Sequence, residues 1–176
     1  PFKNKDTTLS LLSENWGSFQ GLPVIALNTP TEVTRKVARS GLESLTLAEK
    51  RFIPPISAIA LGPASYRQRL RQIYDDIHHG KTSQANFERF FQAQVLWDET
   101  MAERIARSLQ QEPKRLVVVL VGQGHVIYGE GIPSRVARRV PKVSQVSILL
   151  NPSEEFQSQQ DKAIADYFWF TVSGNR

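Results

Sequence analysis

The 176-residue sequence contains no cysteine, so disulfide bonds, thiolate metal ligands and thiol nucleophiles are all excluded. Its most apolar run, Leu116–Val121, is too short to cross a membrane. These 176 residues hold no secretory signal, and they open with Pro1 rather than Met, as expected of a processed product or a fragment. Neither a Gly-Lys-Ser/Thr phosphate loop nor the third glycine of a dinucleotide fingerprint accompanies the glycine-rich stretch 122–125.

The charge is positive without being concentrated in one segment. The formal net charge is +5 and the pI is about 9.7, but the Lys and Arg residues are spread over several predicted helices. A nucleic-acid-binding surface is therefore not predicted. The positive charge is equally consistent with the binding of a small anionic ligand, such as one that carries carboxylates.

Hydrophobic periodicity predicts an α/β chain. Residues 42–63 have poor periodicity and read as a connecting segment. Helices are predicted at Asp6–Phe19, from the N-cap Thr31 to Ser40, at Ala64–His79, Ser83–Gln111 and Ser134–Val140. Strands are predicted at Leu22–Leu27, Leu116–Val121, Val143–Leu150 and Asp166–Val172. Since the continuous aliphatic runs are typical of strands covered on both faces, we expect the first three strands to be parallel neighbours.

The chemistry-bearing residues cluster after the central strand. His125 and Tyr128 follow Leu116–Val121 in a glycine-rich loop, where open α/β sheets bind ligands. Gln94 and Asp98 interrupt the apolar stripe of the longest predicted helix. Each of these four residues has two interpretations, a ligand-binding role or a hydrogen bond that fixes a loop or helix. His78 and His79 similarly fit either a helix C-terminus or a ligand site.

Four motifs in order carry a family resemblance. None is specific alone, but together they resemble the ChaN-like cofacial haem-binding family over about residues 15–139. The motifs are Asn28-Thr29-Pro30, Gln94-x-x-Trp97-Asp98-x-x-Met101-Ala102, Gly122-x-Gly124-His125 and Tyr128-Gly129-x-Gly131-Ile132-Pro133-x-Arg135.

The resemblance implies a three-layer α/β/α fold with a mainly parallel sheet. It implies a single domain at residues 1–176 with a helical subdomain inserted at residues 42–111. Family members begin with a strand that ends in a Gly-Glu-x-His motif, which this sequence does not contain. The chain therefore resembles the C-terminal two thirds of the family domain, and we expect that domain to be incomplete.

The implied function is the binding of ferric haem in iron or haem uptake or handling, with Tyr128 as the iron ligand. A tyrosinate is a hard anionic oxygen donor that suits ferric iron. Either His125 or Arg135 could instead bind a haem propionate, since arginine pairs with carboxylates in a bidentate way. The expected cofactor-binding set is completed by Gln94, Asp98, Asn28 and Gly124.

The resemblance further implies a homodimer that holds two haems face to face. It places the protein at the cell envelope, periplasmic or anchored as a lipoprotein, with any membrane association through a lipid anchor outside this chain. The alternative function is a metal-dependent hydrolase of the distantly related Gly-x-x-His type. In that case His125 would be a metal ligand or general base, and Asp98 or Gln94 would orient water. Because half of such a site is missing, binding is favoured over an enzyme.

Overall fold

The structure, a computed structural model, describes residues 23–79, 83–152 and 163–171. The helices are α1 (Thr31–Ser40), α2 (Leu47–Lys50), α3 (Ala64–Ile77), α4 (Gln84–Gln111) and α5 (Ile132–Arg139), and the strands are β1 (Ile148–Leu150) and β2 (Tyr167–Trp169). Short 3-10 turns lie at Leu42–Ser44, Ile56–Ala58, Gln123–His125 and Ile127–Gly129. The predicted helix Asp6–Phe19, and the parts of other predictions at Leu22, residues 153–162 and Val172, fall outside the described residues.

Helix α4 organises the core. It has 28 residues and begins after Ser83, whose hydroxyl accepts a hydrogen bond from the Asn86 amide at 3.2 Å. Its first half packs against α3 through an aromatic cluster, and its second half packs against α5 and the segment 117–121. The aromatic cluster consists of Tyr66, Leu70, Tyr74, Phe87, Phe91 and Val95. The long predicted helix is therefore confirmed, with Ser83 as its cap.

The prediction of a three-layer α/β/α fold with a mainly parallel sheet is wrong. The described residues are mostly helical and hold one two-stranded parallel sheet, in which Ile148 pairs with Tyr167 and Leu150 with Trp169. Residues 23–27 and 116–121 join no sheet in this part of the chain. The expected parallel pairing of Leu22–Leu27, Leu116–Val121 and Val143–Leu150 is therefore wrong as well.

The physical reason lies in how Leu116–Val121 is covered. Val117, Val119 and Val121 pack against the α4–α5 core. Between them, Leu116, Val118 and Leu120 are 86%, 71% and 56% exposed. A continuous aliphatic run predicts burial on both faces, whereas alternate side chains of this run are only partly buried and the others are exposed. The described helices are also too short or too polar to form a membrane span.

The N-terminal part of the described fold carries a pH-sensitive cap. Thr46 and Glu49 form a capping box at the start of α2, and Lys36 Nζ lies 2.7 Å from Glu49 Oε2. The hydrogen bond from Lys36, followed by the one from the Thr46 backbone, lowers the pKa of Glu49 from 4.5 to about 2. A carboxyl whose pKa falls on folding contributes stability above its unfolded pKa, and this contribution is lost as the pH falls towards its folded pKa.

We therefore expect Glu49→Gln to destabilise the protein most above pH 4.5, and the difference from wild type to shrink as the pH falls towards about 2. Urea denaturation midpoints of both proteins between pH 6 and about 3 would measure this. Lys36→Met should bring the pKa of Glu49 back towards 4.5 in an NMR titration. A difference that does not depend on pH would contradict the assignment.

Candidate functional site

Asp98 is the centre of the candidate site. Its side chain is 1% exposed and projects from the middle of α4. One carboxylate oxygen lies 2.5 Å from His125 Nδ1, and the other accepts a hydrogen bond from the Tyr66 hydroxyl at 2.7 Å. Arg135 Nη1 is 3.8 Å from the second oxygen. A buried carboxylate is stable only with such partners, so Asp98 has the environment of a fixed charge.

His125 is held in a defined orientation. Its Nδ1 faces Asp98, and its ring meets the ring of Trp97 edge to face at a centroid distance of 5.7 Å. The side chain is 20% exposed. Because Nδ1 is engaged by the carboxylate, Nε2 is the ring nitrogen left for a ligand or a proton, and this arrangement is common in histidines that bind metals or act as bases.

The Tyr66 hydroxyl contacts Asp98 from the interior of the protein. Burial, and then the negative charge of Asp98, raise the pKa of the Tyr66 phenol far above its ordinary value of 10. The phenol therefore stays protonated and donates to Asp98. Sequence reasoning placed Tyr66 only on the apolar stripe of a helix. The signal that could have found it is its hydroxyl, since a buried tyrosine needs a hydrogen-bond partner.

Tyr128 lies in a strained turn beside a cation. Its backbone has φ 58° and ψ 6°, in the left-handed region that non-glycine residues rarely adopt. Its amide donates to the Ile164 carbonyl at 2.7 Å, and its half-buried side chain packs against the small cluster of Ile127, Leu149 and Ile164. The guanidinium of Arg69 is 5.1 Å from the centre of the Tyr128 ring. Strain of this kind persists only where the surroundings fix it, and it is frequent at functional sites.

Arg69 joins Tyr128 to the rest of the site. Its guanidinium also lies 5.6 Å from the centre of the Tyr66 ring, and Tyr66 in turn bonds Asp98. A continuous series of contacts therefore links His125, Asp98, Tyr66, Arg69 and Tyr128. Tyr66 and Arg69 both come from α3, which no motif pointed to.

Arg135 occupies an interior position. The side chain is 2% exposed, and its Nη1 donates to the carbonyls of Glu130 and Gly131 at 2.8 and 2.9 Å. Its guanidinium lies 4.8 Å from the centre of the Tyr66 ring and 3.3 Å from Glu99. These contacts fit a structural cation that holds the start of α5 against α3 and α4. The carboxylate-binding role of Arg135 stays a prediction.

The remaining predicted residues lie apart from Asp98. Asn28 is exposed, and its carbonyl accepts from Arg104 Nη1 at 2.6 Å. Gln94 is half-buried and Gly124 is exposed. Within the described ranges, neither Asn28 nor Gln94 bonds Asp98, His125 or Tyr128. His78 Nδ1 is 2.8 Å from the Tyr74 carbonyl, which fits its interpretation as a residue of a helix end.

The chain matches a model of a known protein family. The family model described as haem-binding uptake, Tiki superfamily, ChaN matches residues 15–136. The chain belongs to this ChaN family. The resemblance inferred from the four motifs is thereby confirmed, and haem is supported as the family's ligand.

A plant protein is similar along most of the chain. Protein RETICULATA-RELATED 5, chloroplastic, from Arabidopsis thaliana is 29% identical over 164 residues, which cover 87% of this chain. The matched region is 22% of that protein, so the chain spans about a fifth of its length. No solved structure matches the chain.

The residues present fit a haem. Tyr128 offers a phenol oxygen and His125 a free ring nitrogen, which are both known donors to haem iron. Arg69 adds a guanidinium nitrogen, Nη2, that is buried and has no hydrogen-bond partner among the described residues. In contrast, the described residues hold no group of three or more His, Asp or Glu side chains that could bind a bare metal ion. Tyr128 and His125 each offer a single donor atom, which suits a cofactor that brings its own ligands to iron.

Proposed function

We propose that the protein binds ferric haem in haem uptake or handling, with the phenol oxygen of Tyr128 as the iron ligand. The observation that carries this proposal is the placement of Tyr128, held at φ 58° beside the Arg69 guanidinium and linked through Tyr66 to Asp98 and His125. A non-glycine residue in this conformation costs free energy that a packing role alone does not require. When bound, the haem supplies a Lewis-acidic iron to which an anionic oxygen is well suited.

His125 has a supporting role in this proposal. Its Nδ1 lies 2.5 Å from Asp98, which leaves Nε2 as the ring nitrogen that can face a group bound at the site. Asp98 fixes the imidazole orientation, and the protonated Tyr66 holds Asp98 from the interior side. These three residues are thus pre-organised by hydrogen bonds before any ligand arrives.

Titration with hemin tests the proposal. The wild type is expected to take up hemin and to show a tyrosinate-to-iron charge-transfer band. Tyr128→Phe should abolish the band and weaken binding by more than the roughly 10- to 100-fold that loss of a supporting residue costs at a metal site. The measurement is the absorption spectrum together with the dissociation constant.

Tyr167→Phe is the matched control. Tyr167 is a tyrosine of β2 with 62% exposure, well suited to reveal adventitious binding. Its substitution should leave the band and the affinity unchanged. A charge-transfer band that survives in Tyr128→Phe would remove Tyr128 as the ligand.

The homodimer and the cellular location are part of the same proposal. A cofacial haem pair requires two chains, so the mass in solution should double when one haem per chain is bound. Location at the cell envelope stays a prediction from the resemblance. The plant relative is called chloroplastic, which makes a plastid the competing location for this chain.

Hydrolysis is the second candidate function, and the 2.5 Å contact between Asp98 and His125 favours it. A carboxylate that orients a histidine is the arrangement of a general base, which would remove a proton from an attacking water. If the wild type takes up no hemin in the titration, hydrolysis becomes the favoured function.

A further inference from the structure

Arg69 has an unusual position in α3. Its side chain is 16% exposed, and its guanidinium lies near two aromatic rings, 5.6 Å from the centre of Tyr66 and 5.1 Å from the centre of Tyr128. Cations within about 6 Å of a ring centre are attracted to the ring face. The guanidinium is therefore fixed beside the proposed iron ligand.

The hydrogen bonds of Arg69 are incomplete. Its Nη1 pairs with Glu130 Oε2, and the other oxygen of Glu130 accepts from the Ser65 hydroxyl at 2.6 Å. Its Nη2 is buried and has no hydrogen-bond partner in the described part of the chain. Leaving a buried charged donor unpaired is unfavourable, and an incoming acceptor would remove that penalty.

We propose that Arg69 Nη2 binds a carboxylate of the ligand, which for a haem is a propionate. This inference rests on the haem-binding function proposed above. Guanidinium groups are suited to carboxylates because their planar donors match the two oxygens. In Arg135, the sequence-based candidate for this contact, Nη1 donates to two backbone carbonyls. Its Nε also lacks a hydrogen bond among the described residues, but it lies 3.3 Å from the buried carboxylate of Glu99 and so already faces an anion.

The contact couples carboxylate binding to Tyr128. Since Nη2 is shielded from solvent, a carboxylate reaches it only when neighbouring groups move, and the Tyr128 ring is one of the two rings beside the guanidinium. Movement of that ring would accompany the binding of its oxygen to iron. The two contacts therefore form together at one end of the ligand.

The experiment compares hemin with hemin dimethyl ester, in which both carboxylates are blocked. The wild type is expected to bind hemin roughly 10- to 100-fold more tightly than the ester, as one charge-assisted hydrogen bond would give. In Arg69→Gln the ratio of the two dissociation constants should fall to near one, while the Tyr128 charge-transfer band is kept with both ligands. Thermal denaturation checks that the variant folds; if it does not, Arg69→Met replaces it, and the ratio should fall there too.

Two controls separate ligand binding from structure. Arg67 lies on the same helix, over the rings of Phe87 and Phe91, and pairs with Glu88, so Arg67→Gln should keep the wild-type ratio. Glu130→Gln weakens the anchoring of Arg69 but leaves its Nη2, so the ratio should persist there as well.

Each result decides one of the two proposals. A wild type that binds hemin and its ester equally, with the charge-transfer band present, would overturn the role of Arg69 and leave haem binding intact. The same holds if Arg69→Gln keeps the wild-type ratio, or if Glu130→Gln loses it. A wild type that binds neither ligand would overturn the haem-binding proposal itself.

Discussion

Replacing Glu99 by glutamine is expected to lower the free energy of unfolding by about 3–5 kcal/mol, the cost of breaking a buried ion pair by removing one partner. Glu99 is 0% exposed, and its carboxylate is the anion shared by three arginines of α5. A neutral glutamine would remove the counter-charge of Arg138 and Arg139 and would leave Arg135 with only the Asp98 carboxylate, 3.8 Å away, among the described residues. The effect should exceed that of an ordinary surface substitution several-fold.

The contacts of Glu99 explain the size of the expected loss in free energy of unfolding. Arg138 Nη2 lies 2.8 Å and Arg139 Nη2 2.5 Å from Glu99 Oε2, and the Ala60 amide donates to Oε1 at 2.9 Å. Burial by itself raises the pKa of Glu99, but the hydrogen bonds from Arg138, Ala60 and Arg139 outweigh it and lower the pKa below 4.5. The carboxylate thus stays charged at neutral pH, and its contribution to stability declines only as the pH falls below about 4.5.

Urea denaturation at pH 7 measures the loss. Glu103→Gln is the matched control, because Glu103 lies one turn further along α4 and pairs with Arg107, at 3.6 Å, on the more exposed side. This control should stay within about 0.5 kcal/mol of wild type. If Glu99→Gln lowered the free energy of unfolding as little as Glu103→Gln does, the three arginines would have to be neutralised in some other way.

The helices could be predicted because their signal is local. The apolar spacing in α3 and α4 reports the face that each helix buries. Ser83 caps the start of α4, and Gly41 follows the end of α1. The sheet could not be predicted in the same way. An aliphatic run such as Leu116–Val121 contains no information on how many of its faces are covered or on which segment pairs with it.

The residues of the site likewise divide into those with a local sequence signal and those without one. Asp98 and His125 were predicted because each polar side chain interrupts an apolar or glycine-rich pattern, and the structure brings them into contact. Tyr66 and Arg69 were missed because their roles depend on how α3 lies against the loop at Tyr128. That arrangement is set by tertiary packing between segments some 60 residues apart, as the Arg69–Glu130 ion pair shows with a separation of 61.

Gly131→Ala is expected to damage stability and the site together. A Cβ at this buried position would overlap the His125 carbonyl oxygen and lie 2.8 Å from its carbonyl carbon and 2.9 Å from Asp98 Oδ2. The first two are backbone atoms that cannot rotate away, so the loop must shift. Overpacking of this kind costs on the order of 3 kcal/mol, at the upper end of its usual range.

Gly124→Ala provides the comparison within the same motif. A Cβ at Gly124 would meet no heavy atom within 4 Å, and its backbone is not in the left-handed region, so alanine should be tolerated there. NMR shifts of the His125 ring and urea midpoints of both variants measure the difference. In Gly131→Ala the ring shifts should change because the His125–Asp98 contact is displaced, and hemin affinity should fall with it. Unchanged ring shifts in Gly131→Ala would mean that α5 can move away as a body, and that the close approach of Gly131 does not fix the position of His125.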